Sequence, residues 1–328
     1  MSKHRVAVVQ SGTTLFDTPK TLDRMEALCR EAGVAGAELM VFPEAYIGGY
    51  PKGLDFGARV GTRSDEGRDD YLRYWKSAIE EGGAECDAIG SFARQNKAYI
   101  VTGVIERAGG TLYCSVFFFG PDGKYLGKHR KLMPTASERL IWGQGDGSTI
   151  PVLDTPLGQL GTAICWENYM PSLRQALYAK GVSIWCAPTV DQREIWQSSM
   201  RHVAYEGRTF VLSCCQYMTR ADAPEQYDCI QGNDPETVLI RGGSCIISPL
   251  GEILAGPVYD REVVLTADID LDDVIRGKYD LDVSGHYARP DVFHMEVNEE
   301  PMSAVSFYGE STMRSEQSPV GSDDDAEV

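Results

Sequence analysis

Cys165 closes a short apolar stretch, Leu160-Gly161-Thr162-Ala163-Ile164, and Trp166-Glu167-Asn168 follows it before Pro171-Ser172-Leu173-Arg174 opens a helix. A thiol at such a strand-to-helix turn sits at a sheet edge, near a helix N-terminus that lowers its pKa and favours nucleophilic sulfur. Glu44 stands in the same relation to an earlier strand, in Leu39-Met40-Val41-Phe42-Pro43-Glu44-Ala45-Tyr46. A carboxylate just past a buried run is partly desolvated, which lifts its pKa toward that of a working base. Lys131 ends a third segment, Lys128-His129-Arg130-Lys131-Leu132-Met133. Local pattern leaves blander readings open for all three. A free cysteine is among the most buried residue types; Glu44 reads more simply as a solvated loop residue; four basic residues in a row normally form an exposed face. The residues by themselves supply a thiol, a carboxylate and an ammonium at strand ends.

Other constellations carry less. Gly143-Gln144-Gly145-Asp146-Gly147 lacks the Lys-Ser/Thr that completes a phosphate loop and is not GxGxxG, so its glycines read as a tight turn. His202, Cys214 and Cys215 make a poor metal set, because adjacent cysteines in a strand point to opposite faces. No GxSxG elbow is present.

Positioning such groups requires a sheet scaffold, and the chain supplies one. The runs Val6–Val9, Leu39–Phe42, Tyr99–Ile105, Ser183–Ala187 and Phe210–Leu212 fit strands buried on both faces. Helical patterns lie between them. Asp17 and Thr18 offer an N-cap with Pro19 in the first turn, and Leu22, Met25, Leu28 and Cys29 then share a face. Glu85–Lys97 and Gln192–Gly207 read likewise. Gly120-Pro121-Asp122-Gly123 and Ser248-Pro249-Leu250-Gly251 mark hairpins, where Pro presets φ and Gly accepts a positive one. Alternating strands and helices with added hairpins predict a mixed sheet or two sheets with helices outside. No linker interrupts the chain before about residue 295, so residues 1–295 read as one domain and 296–328 as a polar, acidic tail, disordered unless a partner orders it.

The 328 residues hold 31 basic and 48 acidic side chains, a formal charge of −17 that argues against binding nucleic acid. From Glu296 to the end there are nine acids and one base, Arg314, so nearly half the excess lies in the tail. A composition 43% hydrophobic and 24% charged supports a sizeable core. No apolar run is long enough to span a membrane and no export signal opens the chain. Nine scattered cysteines without a CxxC pair fit neither a disulfide framework nor a zinc site, and predict free thiols in a reducing cytoplasm.

Phe42-Pro43-Glu44-Ala45, His129-Arg130-Lys131-Leu132-Met133-Pro134-Thr135 and Cys165-Trp166-Glu167-Asn168 resemble, in order and separation, the three motifs of the nitrilase superfamily. The run from Arg130 to Gly181 and the segment Gly285-His286-Tyr287-Ala288-Arg289-Pro290-Asp291-Val292-Phe293 are similar to the nitrilase branch, both bacterial and plant-type. The resemblance implies a four-layer α-β-β-α sandwich with two mixed sheets and outer helices. It implies Glu44 as general base, Lys131 as cationic stabiliser, Cys165 as nucleophile, and Glu138 as a further glutamate that positions them or relays protons.

The chemistry explains the need for three groups. A thiol with pKa about 8.5 is only about 3% thiolate at neutral pH, so a base in hydrogen-bond reach must activate it. The implied reaction is hydrolysis of an aliphatic or arylaliphatic nitrile to acid and ammonia through a thioimidate and an acyl-thioester, with no metal or cofactor. Tyr50, Trp142 and Trp166, with Tyr46 and Trp185, lie in or beside the motifs, where an apolar substrate group could stack. Asn168 is similar to organic nitrilases, where cyanide-degrading relatives often carry His; plant-type likeness leaves cyanoalanine open. The family also implies a homodimer or a larger spiral or filamentous homo-oligomer. The competing reading is an amidase or carbamoylase using the same three groups; a catalytically idle assembly protein would have no need of them.

Overall fold

The computed structural model describes residues 3–150 and 152–305. In chain order its elements are β1 (Lys3–Gln10), α1 (Thr18–Val34), β2 (Leu39–Val41), α2 (Asp65–Ser77), α3 (Ala84–Asn96), β3 (Tyr99–Ala108), β4 (Thr111–Phe119) and β5 (Tyr125–Arg130). The second half contributes β6 (Val152–Thr155), β7 (Gly158–Thr162), α4 (Pro171–Ala179), β8 (Ile184–Thr189), α5 (Glu194–Gly207), β9 (Phe210–Cys215) and β10 (Tyr217–Thr219). Then come β11 (Val238–Ile247), β12 (Ile253–Tyr259), β13 (Val263–Asp270) and α6 (Asp272–Gly277).

The strands form two mixed sheets. One runs β13-β1-β2-β3-β4-β5, with β1, β2 and β3 parallel. The other runs β10-β11-β9-β8-β7-β6, with β7, β8 and β9 parallel and β12 on β11. Period-two alternation decides how they stack. Val6 and Val8 of β1 join Leu39, Val101 and Val116 against Leu160, Ile184 and Leu212 of the opposite sheet, making the central layer. Ala7 and Val9, between them, face the other way and pack with Met25 and Leu28 of α1 and Ile89 of α3. On the far side Trp185 and Val211 meet Leu177 of α4 and Trp196, Met200 and Val203 of α5. The molecule is thus a four-layer α-β-β-α sandwich.

Local signals explain most of the helices. The Asp17 carboxylate accepts the Lys20 N–H at 3.1 Å, capping α1 where Pro19 opens it. Lys97 takes the left-handed conformation that stops α3. Helix α2, with no counterpart among the helices predicted from sequence, has few buried residues; Ser64 caps it through Gly67 N–H at 3.0 Å, with Asp65 and Glu66 in its first turn.

The acidic stretch begins against the body. Met302 N–H donates to Asp146 at 2.9 Å, Glu299 pairs with Lys180, and a Cβ on Gly147 would collide with the Asn298 carbonyl oxygen. Most of the expected tail, from residue 306, lies outside the described residues. Among the described residues no helix is long and apolar enough to cross a membrane.

Candidate active site

Parallel strands end at a common edge, and the candidate groups gather there. β2 ends at Val41 and β7 at Thr162, and each is followed three residues later by a reactive side chain, Glu44 and Cys165. β5 ends at Arg130, so Lys131 comes next, while β8 ends at Thr189. The alternation of β5 answers the question raised by its basic run. His129 and Lys131 are buried, at 0% and 1% exposure, while Lys128 and Arg130 pair with Glu106. The run is not an exposed face.

Lys131 Nζ stands 2.7 Å from Glu44 Oε1 and 2.9 Å from Glu138 Oε2. Glu44 Oε2 accepts the Val190 N–H at 3.1 Å, and the charge of Glu44 bears on the buried Cys165 thiol beside it. On its other side the Cys165 sulfur accepts from the Thr189 hydroxyl at 3.2 Å. Glu138 is held by Tyr50 OH at 2.8 Å and by the Thr135 N–H at 2.6 Å. All four sequence-expected groups therefore meet in one cluster.

The turn that presents the sulfur is strained and braced. Cys165 adopts φ +49°, a left-handed conformation uncommon for a residue with a Cβ, and such outliers concentrate at functional sites. Asn168 Nδ2 donates to the Ala163 and Cys165 carbonyls at 2.9 and 2.8 Å, and Trp185 Nε1 fixes the Asn168 oxygen at 2.8 Å. Ala45, beside Glu44, has φ +50°. Gln216 Nε2 anchors the Glu44 carbonyl at 2.7 Å.

Electrostatics set the resting protonation. Burial pushes the Cys165 thiol up and the charge of Glu44 adds to it, outweighing Lys131 and the Thr189 hydroxyl. The thiol is therefore neutral at rest. This corrects the expectation of a lowered pKa at a helix N-terminus: α4 begins only at Pro171, and burial between carboxylates decides the outcome. Burial likewise raises the Glu44 carboxyl, against the pull of the Lys131 ammonium. Burial opposes the Lys131 charge too, yet Glu44 holds it protonated well above the usual lysine range.

A chamber of about 230 Å³ opens on the cluster, lined by Tyr50, Lys52, Glu138, Cys165, Trp166 and Arg193 among others. Trp166 is 42% exposed, with its Nε1 on Asp191 at 2.9 Å. Trp142 does not reach this chamber. It lines an adjoining recess, edge-on to Tyr50, with its Nε1 on Tyr74 OH at 3.2 Å. Tyr46 and Trp185 are fully buried in the two helix-facing layers. Among the described residues no His, Cys, Asp and Glu group could hold a metal ion.

Sequence reasoning missed Thr189, Val190, Gln216 and Cys114, whose Sγ lies 3.7 Å from Glu44 Oε1. For Thr189 a signal existed: it ends the strand parallel to the one that delivers Cys165.

Residues 5–279 match the carbon–nitrogen hydrolase family. The chain is 54% identical to nitrilase 1 of Arabidopsis thaliana across 92% of its length and 89% of that protein. It is 53% identical to a bifunctional nitrilase/nitrile hydratase of Lupinus angustifolius, covering 94% and 90%. Identity to an aliphatic nitrilase of Sinorhizobium fredii is 52%, covering 93% and 99%. Among solved structures, the NitFhit protein of C. elegans superposes with a TM-score of 0.70 at 19% identity, over 93% of this chain and 69% of that one. An amidase from Nesterenkonia gives 0.62 at 19%, over 83% and 92%.

Proposed function

The chain belongs to the carbon–nitrogen hydrolase family, and on that premise we propose that it hydrolyses an organic nitrile to the carboxylic acid and ammonia. Cys165 is the nucleophile, Glu44 the general base and acid, Lys131 the cation that steadies negative charge, and Glu138 the group that holds Lys131 in place. One observation carries the assignment of roles: a neutral thiol, a carboxylate and an ammonium share a buried cluster at the floor of a chamber. Relatives 52–54% identical over nearly the whole chain, named as nitrilases, support the reaction class. The amidase likeness lies at 19% identity and supports the fold alone.

The steps follow from the resting protonation. As sulfur bonds to the nitrile carbon, its proton passes to Glu44, and the nitrogen gains negative charge. Glu44 returns the proton to that nitrogen, leaving a neutral thioimidate. Water adds with Glu44 again as base, ammonia leaves from the tetrahedral intermediate, and a second water cleaves the acyl-thioester to release acid and thiol. Lys131 stabilises the charged intermediates; a lost donor in such sites costs about 2.7–4 kcal/mol of barrier.

The chamber of about 230 Å³ shares Tyr50, Lys52 and Glu138 with the adjoining recess of about 400 Å³, and the two together fall within the ~300–1,000 Å³ of small-molecule pockets. This space suits aliphatic or arylaliphatic nitriles, with Tyr50 and Trp166 as aromatic walls. Nine buried free thiols suit a reducing cytoplasm. Exposed Tyr279, Tyr287 and Phe293 support a subunit contact in a homo-oligomer. Ammonia release from phenylacetonitrile and from phenylacetamide tests the reaction. Acid and ammonia from the nitrile are expected, with Cys165→Ala inactive; turnover of the amide alone would refute the proposal.

A further inference from the structure

Glu167 lies two residues beyond Cys165, is 1% exposed and does not line the chamber. Its Oε1 accepts the Leu132 N–H at 2.6 Å and its Oε2 the Ile164 N–H at 2.8 Å. Leu132 directly follows Lys131, and Ile164 directly precedes Cys165. One carboxylate therefore joins the two segments a single peptide bond from each reacting side chain. β5 and β7 belong to different sheets, so no strand ladder sets the distance between their ends.

The carboxylate is itself held. His129 Nε2 lies 2.9 and 3.2 Å from the two Glu167 oxygens, and its Nδ1 meets the Thr149 carbonyl. A carbonyl and a carboxylate only accept, so the ring donates from both nitrogens and carries a positive charge. The pair is fully buried, with side chains at 1% and 0% exposure. Burying two charges is costly unless their geometry and hydrogen bonds are complete, as they are here.

We propose that Glu167, clamped by His129, is a positioning residue that fixes Lys131 relative to Cys165 and so governs covalent attack on the nitrile. This rests on the reading that those two groups act together. Displacing a reacting group by about 1 Å can cost about 10²-fold in rate. Glu167→Gln keeps the shape but must turn its NH2 toward one of three donors, which loosens one segment.

The experiment compares kcat and KM for phenylacetonitrile in wild type, Glu167→Gln, His129→Leu and His129→Gln, each normalised to folded protein by circular dichroism. Cys165→Ala serves as the inactive reference. Expected is a kcat about 10²-fold lower in Glu167→Gln with KM within about twofold. His129→Leu should lose about tenfold, and His129→Gln, whose amide can donate to Glu167, should recover part of it. A purely structural role would lower the folded fraction and leave normalised kcat untouched. Wild-type kcat in Glu167→Gln, with Cys165→Ala inactive, would overturn the positioning role alone. If Glu167→Gln does not fold, wild-type kcat in His129→Leu has the same force. Activity in Cys165→Ala would instead overturn the catalytic reading itself.

Discussion

Gly103 and Glu44 are packed backbone against backbone. A Cβ on Gly103 would stand 2.6 Å from the Glu44 Cα and 2.2 Å from the Pro43 carbonyl oxygen. Gly103 N–H also donates to that oxygen at 3.1 Å, and its own carbonyl receives Tyr46 and Ile47 N–H at 2.9 and 3.1 Å. Strand β3 is thus the template on which the loop carrying the carboxylate is laid, and only glycine leaves room for it.

Gly103→Ala should therefore displace Glu44 as well as strain the core. Overpacking of this kind costs about 1–3 kcal/mol, readable by urea denaturation. Folded Gly103→Ala should also lose at least about tenfold in kcat, as expected for a misplaced reacting group. Stability and turnover both at wild-type levels would show that the loop is free to relax.

Removing the cation between Glu44 and Glu138 leaves a buried and a half-buried carboxylate without the charge that joins them. Lys131→Gln should cost about 3–5 kcal/mol of stability, the usual penalty for breaking a buried pair. In protein still folded, kcat should fall by about 10²–10³-fold. Calorimetry and steady-state kinetics on the same preparation separate the two effects. Survival of more than a tenth of the activity would remove Lys131 from the chemistry.

The pH profile follows from the resting protonation. In the proposed mechanism Glu44 must be ionised to take the proton from sulfur, and burial raises its pKa above the ordinary 4.5. Activity should fall as pH drops through that raised value, so the acid limb of kcat/KM lies above pH 4.5. The thiol and the ammonium both titrate above their ordinary values of 9.0 and 10.5, so neither produces a limb near neutrality. A rising limb at pH 8–9, as a free thiolate nucleophile would give, would contradict this order of events.

The His129–Glu167 pair makes stability itself pH-dependent. Burial works against the imidazolium, but Glu167 raises it above 6.5; its contribution is complete below 6.5 and is lost as pH rises through the raised value. Burial works against the Glu167 carboxylate too, but His129 lowers it below 4.5; that contribution is present above 4.5 and is lost as pH falls through the lowered value. The pair should stabilise most between pH 4.5 and 6.5. The difference in Tm between wild type and His129→Gln should be greatest there and shrink on the alkaline side. A difference independent of pH would mean that the ring is buried uncharged.

Much of this was legible in the residues. The strands are where continuous apolar runs fall, because parallel strands covered on both faces need no polar alternation. Asp17 and Pro19 marked the start of α1. The cluster was harder, because each member has an ordinary local explanation. Lys131 sits in a basic run, and only the alternation of β5 turns it inward with His129. Thr189, Gln216 and Gly103 matter through contacts with residues distant in the chain, and local pattern does not encode such contacts. Sequence reasoning also missed α2, although Tyr71, Tyr74 and Trp75 share one face at helical spacing and Ser64 followed by Asp65 and Glu66 announces its start.

The sulfur that rests in its neutral form has one more consequence. Peroxides and other electrophiles attack thiolates far faster than thiols, and the climb to sulfenic and sulfinic acids starts from the anion. In the proposed mechanism Cys165 gives its proton to Glu44 only as a nitrile arrives and so withholds itself from oxidants that enter the same opening; durability under oxidative stress is then a by-product of how the base is placed.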